Sequence, residues 1–160
     1  MSFVIYALAV GDGILALAPL PGQDGDYDGD LAHLRDWKPA LVISLTPDLE
    51  MLAHGAGDLG ADIQDMGSRW MHLPVEDFSA PGKLTRDRWP QTSAAARAAL
   101  RGGGRVLIHC RGGCGRSGMA ALRLMVEAGE NADTALARLR AVRPCAVETA
   151  AQMAWARTGR

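Results

Sequence analysis

The run Arg105-Val106-Leu107-Ile108-His109, followed at once by Cys110-Arg111-Gly112-Gly113-Cys114-Gly115-Arg116-Ser117-Gly118, constrains this chain more than any other feature. The first five residues, apolar at Val106, Leu107 and Ile108 and following the breaker Gly102-Gly103-Gly104, read as a central strand. Met119, Leu122, Met125 and Val126 then recur at helical spacing, predicting a helix over about 117–128 with Gly129 as its C-terminal breaker. Between the two, Gly112, Gly113 and Gly115 let the backbone curl so that several N–H groups point inward. The helix behind them adds the positive end of its dipole, and strand, loop and helix together make a cradle for an anion.

The side chains in that loop carry chemistry. The field that attracts an anion also favours the thiolate of Cys110, the form a sulfur nucleophile needs. Arg116 stands six positions later and offers a planar fork to two oxygens of a phosphoryl group, a geometry that lysine lacks. Ser117 at the helix start can donate to the sulfur when it leaves, and can also serve as an ordinary N-cap. The phosphate-binding set expected from the loop is Arg111, Gly112, Gly113, Cys114, Gly115 and Arg116.

Elsewhere, Phe3–Val10 and Ile14–Leu17 are apolar runs meeting at Gly11-Asp12-Gly13, a hairpin signal. No Lys or Arg precedes the first run and Asp12 interrupts it, which argues against a signal segment. Leu41–Leu45 reads as a buried strand, with Thr46-Pro47-Asp48 opening a short helix after it. Trp70–Leu73 is a weaker strand ending at Pro74. Arg86–Arg101, rich in Ala and Arg, favours helix. A further helix follows Asn131, carrying Leu136, Leu139 and Val142 and closed by Pro144, and a last one begins near Thr149. Strands alternating with helices, then a run of helices, predict one three-layer α/β/α domain over residues 1–160 around a central mixed, mainly parallel sheet.

His109–Ser117 resembles the H-C-x5-R-S signature of the cysteine-dependent protein tyrosine and dual-specificity phosphatase superfamily. Leu17–Gly22, Pro74–Pro81, and Arg143-Pro144 with Glu148-Thr149 and Gln152 are similar to its small, kinase-associated-phosphatase-like members. The resemblance implies a protein-tyrosine-phosphatase-like fold and a two-step reaction without metal or cofactor. Cys110 would attack to form a cysteinyl-phosphate that water then hydrolyses. It assigns the general acid and base to Asp77, with adjacent Glu76 as competitor, since a carboxyl group suits both half-reactions. His109 becomes a hydrogen-bonding residue that orients the loop rather than a base. Gln152 resembles a water-positioning glutamine of some relatives, although Thr149-Ala150-Ala151-Gln152 is also a capping-box pattern.

The expected substrate is a phosphorylated protein, on tyrosine or with dual specificity, and phosphate or sulfate should occupy the loop. The alternatives are a non-protein phosphoester such as a phosphoinositide, nucleotide or RNA, and a weakly active phosphate-binding module. Sulfurtransferases that resemble this loop place four residues between Cys and Arg, whereas five stand between Cys110 and Arg116. A net charge of −1 argues against broad attraction to nucleic acid or membranes, and a soluble, cytoplasmic protein is expected. Three cysteines, an odd number in a chain too long to need staples, point to a reducing compartment. Within that reading Cys114 fills a tolerant loop position, a redox partnership with oxidised Cys110 being the alternative. Asp24, Asp26, Asp28 and Asp30 mimic the opening of a calcium loop, but Arg35 stands where a bidentate Glu is needed, so they read as a solvated turn capping the helix of Leu31 and Leu34. Trp37, Trp70, Trp89 and Trp155 read as packing residues rather than a base-stacking platform.

Overall fold

In a computed structural model describing residues 2–159, β1 (Tyr6–Val10) and β2 (Gly13–Ala18) form the expected antiparallel hairpin. Gly11 takes the positive φ of 59° that this tight connection requires. Helix α1 (Tyr27–Trp37) is capped by the Asp26 side chain, which accepts from the Gly29 amide. There follow β3 (Leu41–Ser44), α2 (Asp48–Ala53), α3 (Leu59–Asp65), β4 (Arg69–His72), α4 (Lys83–Arg101) and β5 (Arg105–His109). The chain continues through α5 (Gly115–Glu127), α6 (Ala132–Val142) and α7 (Ala150–Arg157).

The sheet order is β1-β2-β5-β3-β4, with β2, β5, β3 and β4 parallel. Alternation along the strands divides the core between two faces. Leu15, Leu17, Leu41, Ile43, Val106 and Ile108 face a cluster shared with α4, α5, α6 and α7. Ala16, Ala18, Val42 and Leu107 face a second cluster with Leu31, Leu34, Met51, Leu59 and Ile63. This is the three-layer α/β/α arrangement around a mixed sheet.

Register then positions the site. Ala18 and Ser44 both pair with His109, and His72 pairs with Ser44, so the carboxyl ends of four strands share one edge. Ligands of open α/β sheets bind at that edge, and the Cys110 loop leaves β5 from its middle.

Three helices depart from expectation. Helix α4 begins at Lys83 and runs through the exposed Pro90, which has no N–H to give the preceding turn. Helix α5 begins two residues early, at Gly115, because the Cys114 carbonyl already accepts from the Gly118 amide at 2.8 Å. Arg116 therefore lies in the first helical turn. Helix α3 was not expected; its apolar positions are Leu59 and Ile63, too few to set a period. Gly60 lets it close on Trp70, whose ring stands 2.6 Å from where a Cβ would sit.

Candidate active site

The backbone of the loop can be accounted for carbonyl by carbonyl. The Cys110 carbonyl accepts from His109 Nδ1 at 3.2 Å. That of Arg111 accepts from the Leu20 amide at 3.0 Å and from Gln23 Nε2 at 2.7 Å. Arg143 donates from Nη2 to the Gly112 carbonyl at 2.9 Å and from Nε to that of Gly113 at 3.1 Å. In a trans peptide the N–H points opposite to the preceding C=O. Holding these four carbonyls outward therefore turns the amides of Arg111, Gly112, Gly113 and Cys114 the other way, toward the interior of the loop. Gly113, at φ 72°, also lies against β2, where a Cβ would meet the Ala18 carbonyl carbon at 2.8 Å. A glycine is thus required there on both counts.

Cys110 is buried at the floor of this curl, its Sγ 3.3 Å from Ser117 Oγ. Arg116 is 1% exposed, although it is among the largest side chains in the core. Its guanidinium donates to both carboxylate oxygens of Glu50, from Nη1 at 3.0 Å and Nη2 at 2.8 Å, and from Nη1 to the Val75 carbonyl at 3.0 Å. Asp77 Oδ1 stands 3.5 Å from Nη2. Burial works against the charged form, but the hydrogen bonds to Glu50 and the neighbouring Cys110, Glu50 and Asp77 outweigh it, so the Arg116 pKa lies above the ordinary arginine value. Nε is buried without a partner among the described residues. A donor left so is costly, and an acceptor entering the loop would relieve it.

His109 sits in a hydrogen-bonded chain whose direction follows from chemistry. Burial pushes its pKa down to about 4, so the ring is neutral at pH 7. A carbonyl can only accept, so the Nδ1 that meets the Cys110 carbonyl carries the proton. Nε2 must then accept from Ser44 Oγ, 2.5 Å away, and Ser44 in turn accepts from Trp70 Nε1 at 2.8 Å. The order is Trp70 to Ser44 to His109 to the Cys110 carbonyl.

Asp77 lies in an exposed loop after β4, and Glu76 beside it makes no contact with Arg116 among those observed. The loop is tied to the start of α7. Thr149 Oγ1 donates to the Phe78 carbonyl at 3.2 Å, and Gln152 Nε2 to the Ser79 carbonyl at 3.3 Å. Gln152 Oε1 accepts from the amides of Glu148 and Thr149, completing a capping box with Thr149. The capping pattern read in the sequence is formed, and the same side chain also holds the Asp77 loop.

The cysteine reading needs correction. Cys114 is bonded to Cys145 across 31 residues, and Cys110 alone is a free thiol. Cys114 is therefore neither a tolerant filler nor an available partner for Cys110, and an odd cysteine count no longer argues for a reducing compartment. The connector between α6 and α7 swings Cys145 back onto the loop, bringing the two Cα atoms to 5.1 Å, within disulfide reach. Glu50, Gln23, Ser44, Trp70 and the loop-holding role of Arg143 were also missed. For Cys145 a signal existed, since it follows the Arg143-Pro144 pair that already matched the family.

Among the described residues no group of three His, Cys, Asp or Glu could hold a metal ion, and no helix is long and apolar enough to cross a membrane. Fold and loop together define a cysteine-based phosphatase of the protein tyrosine and dual-specificity type. A family model described as "Polymorphic toxin system, DSP-PTPase phosphatase" matches residues 20–130, and the chain belongs to that family. Comparison with curated proteins finds no match. Among solved structures the chain is similar to a kinase-associated phosphatase whose catalytic-site cysteine is replaced by serine, with a TM-score of 0.84 at 21% identity, over 98% of this chain and 93% of that one. The active form of Tk-PTP matches with a TM-score of 0.72 at 28% identity, over 91% and 90%. PTPMT1 in complex with PI(5)P matches at 0.75 and 14% identity, over 96% and 94%.

Proposed function

We propose that this phosphatase acts on phosphoproteins, on tyrosine or with dual specificity, through a cysteinyl-phosphate on Cys110. The observation that carries the reading is Arg116, locked on Glu50 with its Nε buried and unpartnered among the described residues, in the same loop as the Cys110 thiol and the inward amides. The phosphoryl group would lie in the cradle of residues 111–116, its oxygens on the loop amides and Nε. The Cys110 thiolate attacks phosphorus, the S–P bond forms, and the ester O–P bond breaks as Asp77 gives its proton to the leaving oxygen. Asp77, then a carboxylate, takes a proton from the attacking water. The S–P bond breaks, and Ser117 donates a hydrogen bond to the departing sulfur. Charge gathers on the phosphoryl oxygens in both transition states, where the fixed donors stabilise it.

Charge at the mouth favours a protein substrate over a polyphosphorylated lipid. Arg111 is the one exposed basic side chain in the loop, while Asp48, Glu76, Asp77 and Glu148 are exposed carboxylates on the segments around it. The test is a leaving-group series of aryl and alkyl phosphates without added metal, alongside phosphopeptides and phosphoinositides. Asp77→Asn should slow poor leaving groups far more than good ones. Equal slowing of all would remove Asp77 from the proton-donor role, and a clear preference for phosphoinositides would overturn the substrate assignment.

A further inference from the structure

The Gly112–Cys114 part of the loop is braced by one short segment, and that segment carries a covalent bond. Residues 143–149 join α6 to α7. Arg143 holds the carbonyls of Gly112 and Gly113, and its guanidinium lies 4.2 Å over the Tyr6 ring. The Val147 amide reaches the Cys114 carbonyl at 3.4 Å. Arg140 fixes the segment from α6, donating to the carbonyls of Ala146 and Val147 at 2.9 and 3.0 Å. Gly118 permits the approach, since a Cβ there would stand 2.6 Å from the Val147 nitrogen. The Cys114–Cys145 bond closes the same seam.

We propose that the Cys114–Cys145 disulfide and Arg143 are positioning elements of the phosphate loop, so that reducing this bond, with Cys110 unaltered, weakens phosphate binding. The inference rests on the loop being a phosphate site, and is independent of which residue is the nucleophile. Cys114 is one of the residues whose amide is turned inward, and its side chain is the one tethered. Releasing it frees the stretch between Arg111 and the first turn of α5 to relax, and the amides of Gly113 and Cys114 lose their common aim. Arg143 would then hold two carbonyls from a segment no longer covalently fixed to the loop. The chemistry is a two-electron exchange. A dithiol reductant gives two electrons and two protons to the S–S bond, leaving thiols on Cys114 and Cys145 and a disulfide in the reductant. Both cysteines of the bond are partly exposed, whereas Cys110 is buried, so the reductant meets the bond first. A cysteine nucleophile normally gains from reductant; here reduction would protect Cys110 and loosen its loop at once.

The experiment uses the full chain prepared without reductant, with free thiols counted by alkylation under denaturing conditions. Inorganic phosphate is the probe, its dissociation constant measured by calorimetry before and after dithiol treatment, together with kcat and KM on an aryl phosphate. Reduction should raise the phosphate dissociation constant roughly five- to tenfold, equivalent to about one well-aligned hydrogen bond. Cys145→Ser should show that weakened value without reductant and respond no further to it. Arg143→Lys, which keeps the charge and loses the fork, should weaken phosphate while leaving the thiol count unchanged. Unchanged phosphate affinity after full reduction would overturn the inference, as would three free thiols in the untreated protein. If Cys145→Ser fails to fold, the reduced wild type supplies the comparison. Absent hydrolysis with a redox-sensitive phosphate affinity would refute the phosphatase mechanism and leave the brace standing. Absence of phosphate binding in either state refutes both.

Discussion

Replacing Glu50 by Gln removes the charge that holds Arg116 while keeping nearly the same shape. The wild-type carboxylate takes two charge-assisted bonds from the guanidinium, at 3.0 and 2.8 Å. In the variant one carboxamide oxygen can still accept, but the NH2 group faces a donor. Arg116 is then left with the Val75 carbonyl and with Asp77 at 3.5 Å as the next carboxylate. Breaking a buried pair costs about 3–5 kcal/mol. The Glu50 side chain is 19% exposed and water can offset part of the loss, so a deficit of about 2–3 kcal/mol is expected. The same misalignment acts on the transition state, and kcat/KM should fall roughly 30- to 100-fold. Denaturant midpoints measure the first quantity and aryl phosphate kinetics the second. Inorganic phosphate should widen the stability deficit, because a loop with a misaligned Arg116 binds the anion less tightly and gains less stability from it. A Glu50→Gln protein with wild-type stability and kcat/KM within about twofold would refute the claim that this pair orients Arg116.

His109 should make stability pH-dependent. Its folded pKa, about 4, lies below the ordinary 6.5, so the unfolded chain takes a proton that the folded protein refuses. Its contribution is complete above about pH 6.5 and is lost as pH falls toward 4, about 3 kcal/mol in all. Chemical denaturation across that window should give a shallower slope in His109→Asn, and an identical slope would remove His109 as the source. Ser44→Ala strips the middle of the chain from Trp70 to His109, and leaves Trp70 Nε1 and His109 Nε2 without that partner. A loss of about 1–3 kcal/mol in denaturant stability is expected, with a shift of the His109 ring nitrogen resonances. Wild-type resonances in that variant would contradict the assigned chain.

What the sequence makes legible here is what is local. The strand, the glycine loop and the helix lie within about two dozen consecutive residues, and hydrophobic period and glycine placement describe them directly. Asp77 was within reach because the family resemblance extends to Pro74–Pro81. The partners that make the loop work come from far along the chain. Glu50 is 66 residues from Arg116 and Ser44 is 65 from His109. Nothing in the local pattern of Asp48–Ala53 distinguishes a carboxylate bound to a buried arginine from one facing water. Arg143 likewise reads as a basic residue at a helix end until the turn after it folds back on the loop. The disulfide eluded a compartment argument because counting cysteines treats Cys110 as equivalent to the other two.

Trapping the phosphoenzyme tests the central claim most directly. An Asp77→Asn protein mixed with an aryl phosphate, quenched in acid within milliseconds and digested with trypsin, should carry the mass of one phosphoryl group on the peptide Val106–Arg111. Cys110→Ser should show neither that adduct nor hydrolysis. A phosphoryl group on any other peptide, or turnover that persists in Cys110→Ser, would contradict the account.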